Sequence, residues 1–224
     1  MPTRVYLVRH GATTLSAEDR FAGETDVDLS EMGRAQLRQL ADRLAHEPLC
    51  AVYASPMRRT LESANILAGP HALAVVPVPA LREISHGRWE KKTRREVEAL
   101  WPEELACWDS DPYTFAPRGG ESGLAVTARA LPALIELVAA QDGRTFLCVS
   151  HKATIRLLLS ALLGFDPRYY RDRLDQSPAC LNVLDFRDPS HARLTLFNDV
   201  SHYERGAPGT PTAHLSKWWH DSKP

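Results

Sequence analysis

The tripeptide Arg9-His10-Gly11 closes a short apolar run, Val5-Tyr6-Leu7-Val8. A β-branched apolar run of that length reads as a buried strand. A guanidinium, an imidazole and a residue that lets the backbone turn closely therefore stand together where a strand ends. Neutral imidazole has a reference pKa of about 6.5 and is a competent nucleophile near neutral pH. A phosphoryl group suits it as a target: its negative charge repels nucleophiles, and an arginine fork neutralises that charge while gripping the oxygens. An isolated Arg-His pair is more often a surface dipeptide, so its setting decides. Thr145 to Val149 reads as another strand and ends in Ser150-His151. Ser55-Pro56 follows a third strand, Ala51 to Ala54, and leads to Arg58-Arg59. Neighbours on a helix point about 100° apart, so only one of those two arginines can reach a phosphate directly.

These strand ends need elements to position them. Ser30 reads as an N-cap, followed by Leu37, Leu40, Ala41 and Leu44 at helical spacing. Ser55 reads as the next N-cap, with Pro56 at the first helical position, Leu61, Ala64 and Leu67 on the apolar face, and Gly69-Pro70 as the stop. Val75 to Val78 suggests another strand. A helix is expected from Ser122 to Ala140, strained at Pro132, and one carrying Ile155, Leu158, Leu159 and Leu162 before Gly164. Leu181 to Phe186 and Leu194 to Phe197 read as late strands. Strands alternating with helices imply an α/β fold, a mostly parallel central sheet with helices on both faces. Ligands in such sheets bind beyond the carboxyl ends of the strands, which places His10, the Ser55 turn and His151 at one edge. The expected organisation is a single domain over 1–203 with a partly helical, cap-like insertion at about 87–118, carrying Trp89, Trp101 and Trp108, and a C-terminal tail at 204–224.

Composition bounds the class. The chain has 224 residues, 44% hydrophobic and 25% charged, with a formal net charge of -1, as expected of a globular protein. That balance gives no reason to expect a nucleic-acid or membrane-surface partner. Arg4 and Arg9 interrupt the only apolar stretch at the start, so no secretory signal is expected. The apolar helix near Ile155 to Leu163 is too short to span a bilayer. The four cysteines, Cys50, Cys107, Cys148 and Cys180, form no CxxC pair. They are expected to be reduced thiols of a cytoplasmic protein. No cofactor is implied, and no His/Cys/Asp cluster has metal-ligand spacing. No motif sets the oligomeric state.

Five segments, in order, resemble the histidine phosphatase superfamily, which includes the cofactor-dependent phosphoglycerate mutases. They are VRHGATTLSAEDRFAGETDVDLSEMG from Val8, SPMRRTLESA from Ser55, LREISHGRWE from Leu81, GGES from Gly119 and VSHKATIR from Val149. Any one would be weak, and together they are strong. The resemblance implies the phosphoglycerate mutase-like three-layer α/β/α sandwich and a set of roles. His10 would accept the phosphoryl group as a phosphohistidine. Arg9, Arg59 and His151 would surround the phosphate. Glu83 would protonate the leaving oxygen and then deprotonate water. Ser16, Gly23 and Lys152 join the expected phosphate-binding set. Without the resemblance, Glu83 would read as a salt-bridged surface acid; His151 could be a satisfied core histidine, but its place after a strand and before a helix start favours the phosphate role. Lys91, Lys92, Arg94 and Arg95 read as a solvated helix face, or, beside a phosphate site, as cations that recruit a second anionic group of the substrate, and Trp89 as core.

Departures from the mutases point to a phosphatase of small phosphorylated metabolites. Ser16 and Ala22 replace an Asn and a Thr of the mutases' first motif. Thr93-Arg94 stands where they carry Asn-Lys, and Asp109-Ser110 where they carry paired arginines. A mutase, and a binding protein with little turnover, are the rival expectations.

Overall fold

The computed structural model describes residues 1–14 and 20–204. Ser16 and the 205–224 part of the expected tail lie outside the described residues. The elements run β1 (Thr3–Arg9), α1 (Glu31–Leu44), β2 (Leu49–Ala54), α2 (Arg58–Ala68) and β3 (Val75–Pro77). Then come α3 (Arg94–Leu100), α4 (Pro102–Ser110), α5 (Gly123–Ala140), β4 (Thr145–Ser150), α6 (Lys152–Leu163), α7 (Tyr170–Arg173), β5 (Leu181–Asp188), β6 (His191–Asp199) and α8 (Ser201–Glu204).

One six-stranded sheet has the order β3-β2-β4-β1-β5-β6. The β3-β2, β2-β4 and β4-β1 pairs are parallel, and β5 and β6 add antiparallel pairs at one side. Side chains alternate across a strand, and the two cores follow that alternation. Tyr6 and Val8 of β1 pack with Leu37, Leu40 and Leu67 of α1 and α2. Val5 and Leu7 pack on the other face with Leu134, Val138, Ile155 and Leu158 of α5 and α6. The result is the expected three-layer sandwich.

Ser30 caps α1 as expected, its Oγ accepting from Gly33 N at 3.1 Å. Ser122 caps α5, and Gly164 ends α6 at a φ of 71°. The start of α2 differs from expectation: the helix begins at Arg58 with Met57 as its N-cap residue. Ser55 is buried behind that cap, and its hydroxyl is engaged with a histidine described below. α5, with 18 residues, is longer than the Ile155–Leu163 segment and is long and apolar enough by composition to cross a membrane. Here Ala130, Leu134 and Val138 of that helix cover the sheet.

The segment 87–118 is partly helical, as expected. Trp89, Val97, Leu105 and Trp108 form its own apolar cluster, joined by Phe21, Trp101 and Phe115. Trp89 is fully buried and its indole N–H donates to Glu104. Phe21 and Lys91-Lys92 exchange backbone hydrogen bonds, Phe21 N to Lys92 O at 3.0 Å and Lys91 N to Phe21 O at 2.8 Å. These bonds fasten the segment to the loop that follows β1.

Candidate active site

β2, β4 and β1 are adjacent and parallel, so their carboxyl ends bring Ser55, His151 and His10 to one sheet edge. The backbone joins them: His10 N donates to Ser150 O at 3.1 Å, and Ser55 N to Val149 O at 3.0 Å. The His10 and His151 rings meet edge-on with centroids 5.2 Å apart. His10 Nδ1 lies 2.8 Å from Gly11 O. A carbonyl only accepts, so Nδ1 carries the proton and Nε2 keeps its lone pair. Gly11 suits this turn because a Cβ there would lie 2.8 Å from Gly33 O. His151 Nε2 lies 2.7 Å from Ser55 Oγ, while its buried Nδ1 has no partner.

Arg9 and Arg59 are almost fully buried, and neither forms an ion pair among the described residues. Backbone carbonyls hold them instead. Arg9 Nη1 donates to Gln176 O at 2.6 Å, and Arg9 Nε is left without a partner. Arg59 Nη1 donates to Thr25 O and Nη2 to Gly23 O, both at 2.9 Å. Gly23 enters the site through that carbonyl, at a φ of +50° where a Cβ would strike the Glu90 carboxylate. Two buried guanidiniums without an ion-pair partner among the described residues are costly, because buried charge demands a counter-charge.

Arg58 points elsewhere. It is exposed and bridges to Asp28 at 2.7 Å.

The Glu83 carboxylate caps α6. Its Oε1 accepts from Ile84 N at 3.0 Å and from Thr154 N and Oγ1 at 3.2 Å, while among the described residues Oε2 accepts from Ala153 N alone, at 3.3 Å. Lys152 at the helix start reaches Asp175 at 3.8 Å, so its ammonium is held rather than free in solvent. Burial holds the His10 imidazole well below the ordinary histidine range, and Arg59 and then Arg9 add to the effect. Burial does the same to His151, followed by Arg59. Both rings are therefore neutral near pH 7 while the site holds no anion.

The structure thus brings His10, His151, Arg9, Arg59 and Glu83 together. Residues 5–200 match the family model described as histidine phosphatase superfamily (branch 1). The chain belongs to that superfamily. A phosphoserine phosphatase 1 of Hydrogenobacter thermophilus is 34% identical over 73% of this chain and 77% of its own length. A probable phosphoglycerate mutase of an Enterobacter species is 31% identical over 91% and 96%. A solved mycobacterial glucosyl-3-phosphoglycerate phosphatase, in complex with VO3, superposes with a TM-score of 0.79 at 30% identity, covering 87% of this chain and 98% of that one.

Two features of this arrangement are not legible in the sequence. The sequence places the Ser55 turn at the sheet edge but reads Ser55 as a helix cap rather than as a partner of His151. The brace behind Arg9 was not foreseen: Asn182 Nδ2 donates to Gln176 Oε1 at 2.8 Å and to Leu7 O at 3.0 Å, and Gln176 Nε2 donates back to Asn182 Oδ1 at 2.9 Å. The signal available was an asparagine inside the apolar run Leu181 to Phe186.

Proposed function

We propose that this protein is a metal-independent phosphatase of small phosphomonoesters that works through a phosphohistidine on His10. The observation that carries the reading is the neutral His10, with Nδ1 turned to the Gly11 carbonyl, beside two buried arginines that form no ion pair among the described residues. In the first step His10 Nε2 bonds to phosphorus as the ester P–O bond breaks. Glu83, through its less engaged Oε2, gives its proton to the leaving alkoxide. The remaining N–H donors of Arg9 and Arg59 and the His151 Nδ1–H, with the Ser55 hydroxyl donating to Nε2, hold the three equatorial oxygens. In the second step Glu83 takes a proton from water, the oxygen bonds to phosphorus, and the P–N bond breaks. Neutral His10 and inorganic phosphate result. The positive charge comes from the arginines, and no step calls for a metal.

Hydrolysis is favoured over the mutase reaction by Arg94 and Asp109. These positions carry lysine and arginine in the mutases. Here they pair with each other, Arg94 Nη1 donating to Asp109 Oδ1 at 3.0 Å. Arg94 is thereby turned toward a carboxylate of its own chain, which it shares with Arg171. The catalytic unit is the 1–203 segment, and the reduced state of Cys50, Cys107, Cys148 and Cys180 fits a cytoplasmic enzyme.

The test sets a panel of phosphomonoesters beside 3-phosphoglycerate, with and without 2,3-bisphosphoglycerate, in the presence of a chelator. Phosphate release should exceed mutase turnover and survive chelation. Mutase turnover above the best hydrolysis, or a restorable need for a divalent cation, would overturn the reading.

A further inference from the structure

One turn holds the backbone of the nucleophile from behind. Ser177-Pro178-Ala179-Cys180 leads into β5, and Cys180 N donates to Ser177 O at 3.2 Å. Ala179 N donates to His10 O at 3.1 Å, and Arg9 N donates to Cys180 O at 3.3 Å. Just ahead of the turn, Gln176 O accepts from the Arg9 guanidinium. The turn is strained at the residue that grips His10. Pro178 brings the fixed φ of proline to the second position, and Ala179, at the third, has a φ of 54°. That combination is the type II pattern, whose third position favours glycine because a Cβ is crowded at positive φ. Ala179 is instead fully buried, in the apolar cluster between the sheet and α1 and α2. A residue stays in such a conformation only where its surroundings over-determine it.

Side chains of β6 and α8 supply that constraint. Asn198 Oδ1 accepts from Ser177 N at 2.6 Å. The Tyr203 hydroxyl donates to Pro178 O at 3.0 Å. Pro178 O and Ala179 N belong to one peptide unit, so Tyr203 and His10 hold its two ends. The orientation of this central peptide separates a type II turn from a type I turn, and half a rotation converts one into the other. Type I needs no positive φ and suits alanine, yet it carries the N–H away from His10 O. The Tyr203 bond opposes that rotation. α8 is itself fastened to the frame. Arg43 of α1 donates to Asp199 and Ser201 Oγ, and the Tyr203 ring packs against the apolar cluster.

We propose that Tyr203 is a positioning residue for the nucleophile. Its hydroxyl holds the Pro178–Ala179 peptide in the strained orientation whose N–H fixes the His10 carbonyl, and so fixes the backbone from which the imidazole projects. The inference rests on the reading of His10 as the nucleophile of a phosphatase. It makes α8, at the far end of the fold's chain order, part of what aims that nucleophile.

A double-mutant cycle tests it, read as kcat on a phosphomonoester that the wild type cleaves and as inhibition by inorganic phosphate. Tyr203→Phe keeps the ring and removes the donor. It should lower kcat by about fivefold or more, while the inhibition constant of phosphate moves by less than about twofold, because the side-chain contacts of Arg9 and Arg59 are untouched. Ala179→Gly relieves the positive-φ strain, so the turn keeps its type II form without the tyrosine. In that background Tyr203→Phe should cost less than about twofold in kcat. Unchanged kcat in Tyr203→Phe, or the same loss in both backgrounds, overturns the inference and leaves the phosphatase reading standing. A loss of kcat matched by an equal weakening of phosphate inhibition also overturns it, as general loosening of the site. If Ala179→Gly does not fold, the split between kcat and phosphate inhibition in Tyr203→Phe decides. Absence of wild-type turnover on every ester overturns both readings.

Discussion

Ser55 Oγ and His151 Nε2 lie 2.7 Å apart at the ends of neighbouring strands, both residues fully buried. The hydroxyl fixes the orientation of the imidazole ring. Ser55→Ala removes that partner and leaves a second ring nitrogen of His151 unsatisfied. A hydrogen bond of this kind is worth about 1 kcal/mol, and an orphaned buried group costs about 1–3 kcal/mol. The variant should lose about tenfold or more in kcat/KM on any ester that the wild type cleaves, with an unchanged circular dichroism spectrum. Wild-type kinetics would show that Ser55 does not position His151.

Arg58 and Arg59 separate just as cleanly. Arg59 is buried with its fork on Gly23 and Thr25, whereas Arg58 faces solvent with Asp28. Arg59→Ala should cost about 3 kcal/mol of transition-state stabilisation, more than a hundredfold in kcat/KM. Arg58→Ala loses one exposed ion pair, worth less than about 1 kcal/mol. Steady-state kinetics of the two variants checks this, and equal losses would contradict the geometry.

Asn182→Leu strips Gln176 of a buried partner while keeping a similar volume. Stability should fall by about 1–3 kcal/mol for the unsatisfied amide, read by urea unfolding. Because the Gln176 carbonyl holds Arg9, inhibition by inorganic phosphate should weaken in the variant as well. A loss of stability with unchanged phosphate inhibition would reduce the brace to packing.

The framework of this site was legible because its parts are local. Strand ends, turn residues and the Ser30 and Ser122 caps are written in short windows of sequence, and His10, Ser55 and His151 follow from three strands being parallel neighbours. What escaped depends on contacts far apart in the chain. Arg94 reads as a solvated cation until Asp109 is seen opposite it. Ser55 has every mark of an N-cap, yet the helix starts at Arg58; the Ser55 hydroxyl lies 3.5 Å from Met57 N and 2.7 Å from the ring of His151, 96 residues away. Glu83 shows no local sign of chemistry, since its place is set by the N-terminus of α6, whose first residue lies 69 positions on. Asn182 alone carried a readable signal, a polar residue in a buried strand.

Stability should depend on pH through the two site histidines. Burial first, then Arg59, lowers both native-state values. As pH falls below about 6.5 the unfolded chain takes up protons that the native state refuses. The contribution is complete above about pH 6.5 and is lost on acidification, by about 1.4 kcal/mol per pH unit for each histidine that stays neutral. Urea unfolding near pH 7 and near pH 5.5 should show the decline, and it should be shallower in His10→Gln. Equal slopes in the two proteins would contradict neutral burial of His10.

The central claim is a covalent bond from His10 Nε2 to phosphorus. Wild-type protein mixed with a cleavable 32P-labelled ester and quenched in denaturant should carry an acid-labile, base-stable label. Glu83→Gln, which has lost the group that activates water, should hold that label longer when the leaving group is an activated phenol that departs without protonation. His10→Ala should carry none and should not release phosphate. Label mapped to another residue, or turnover by His10→Ala within tenfold of wild type, would contradict the account.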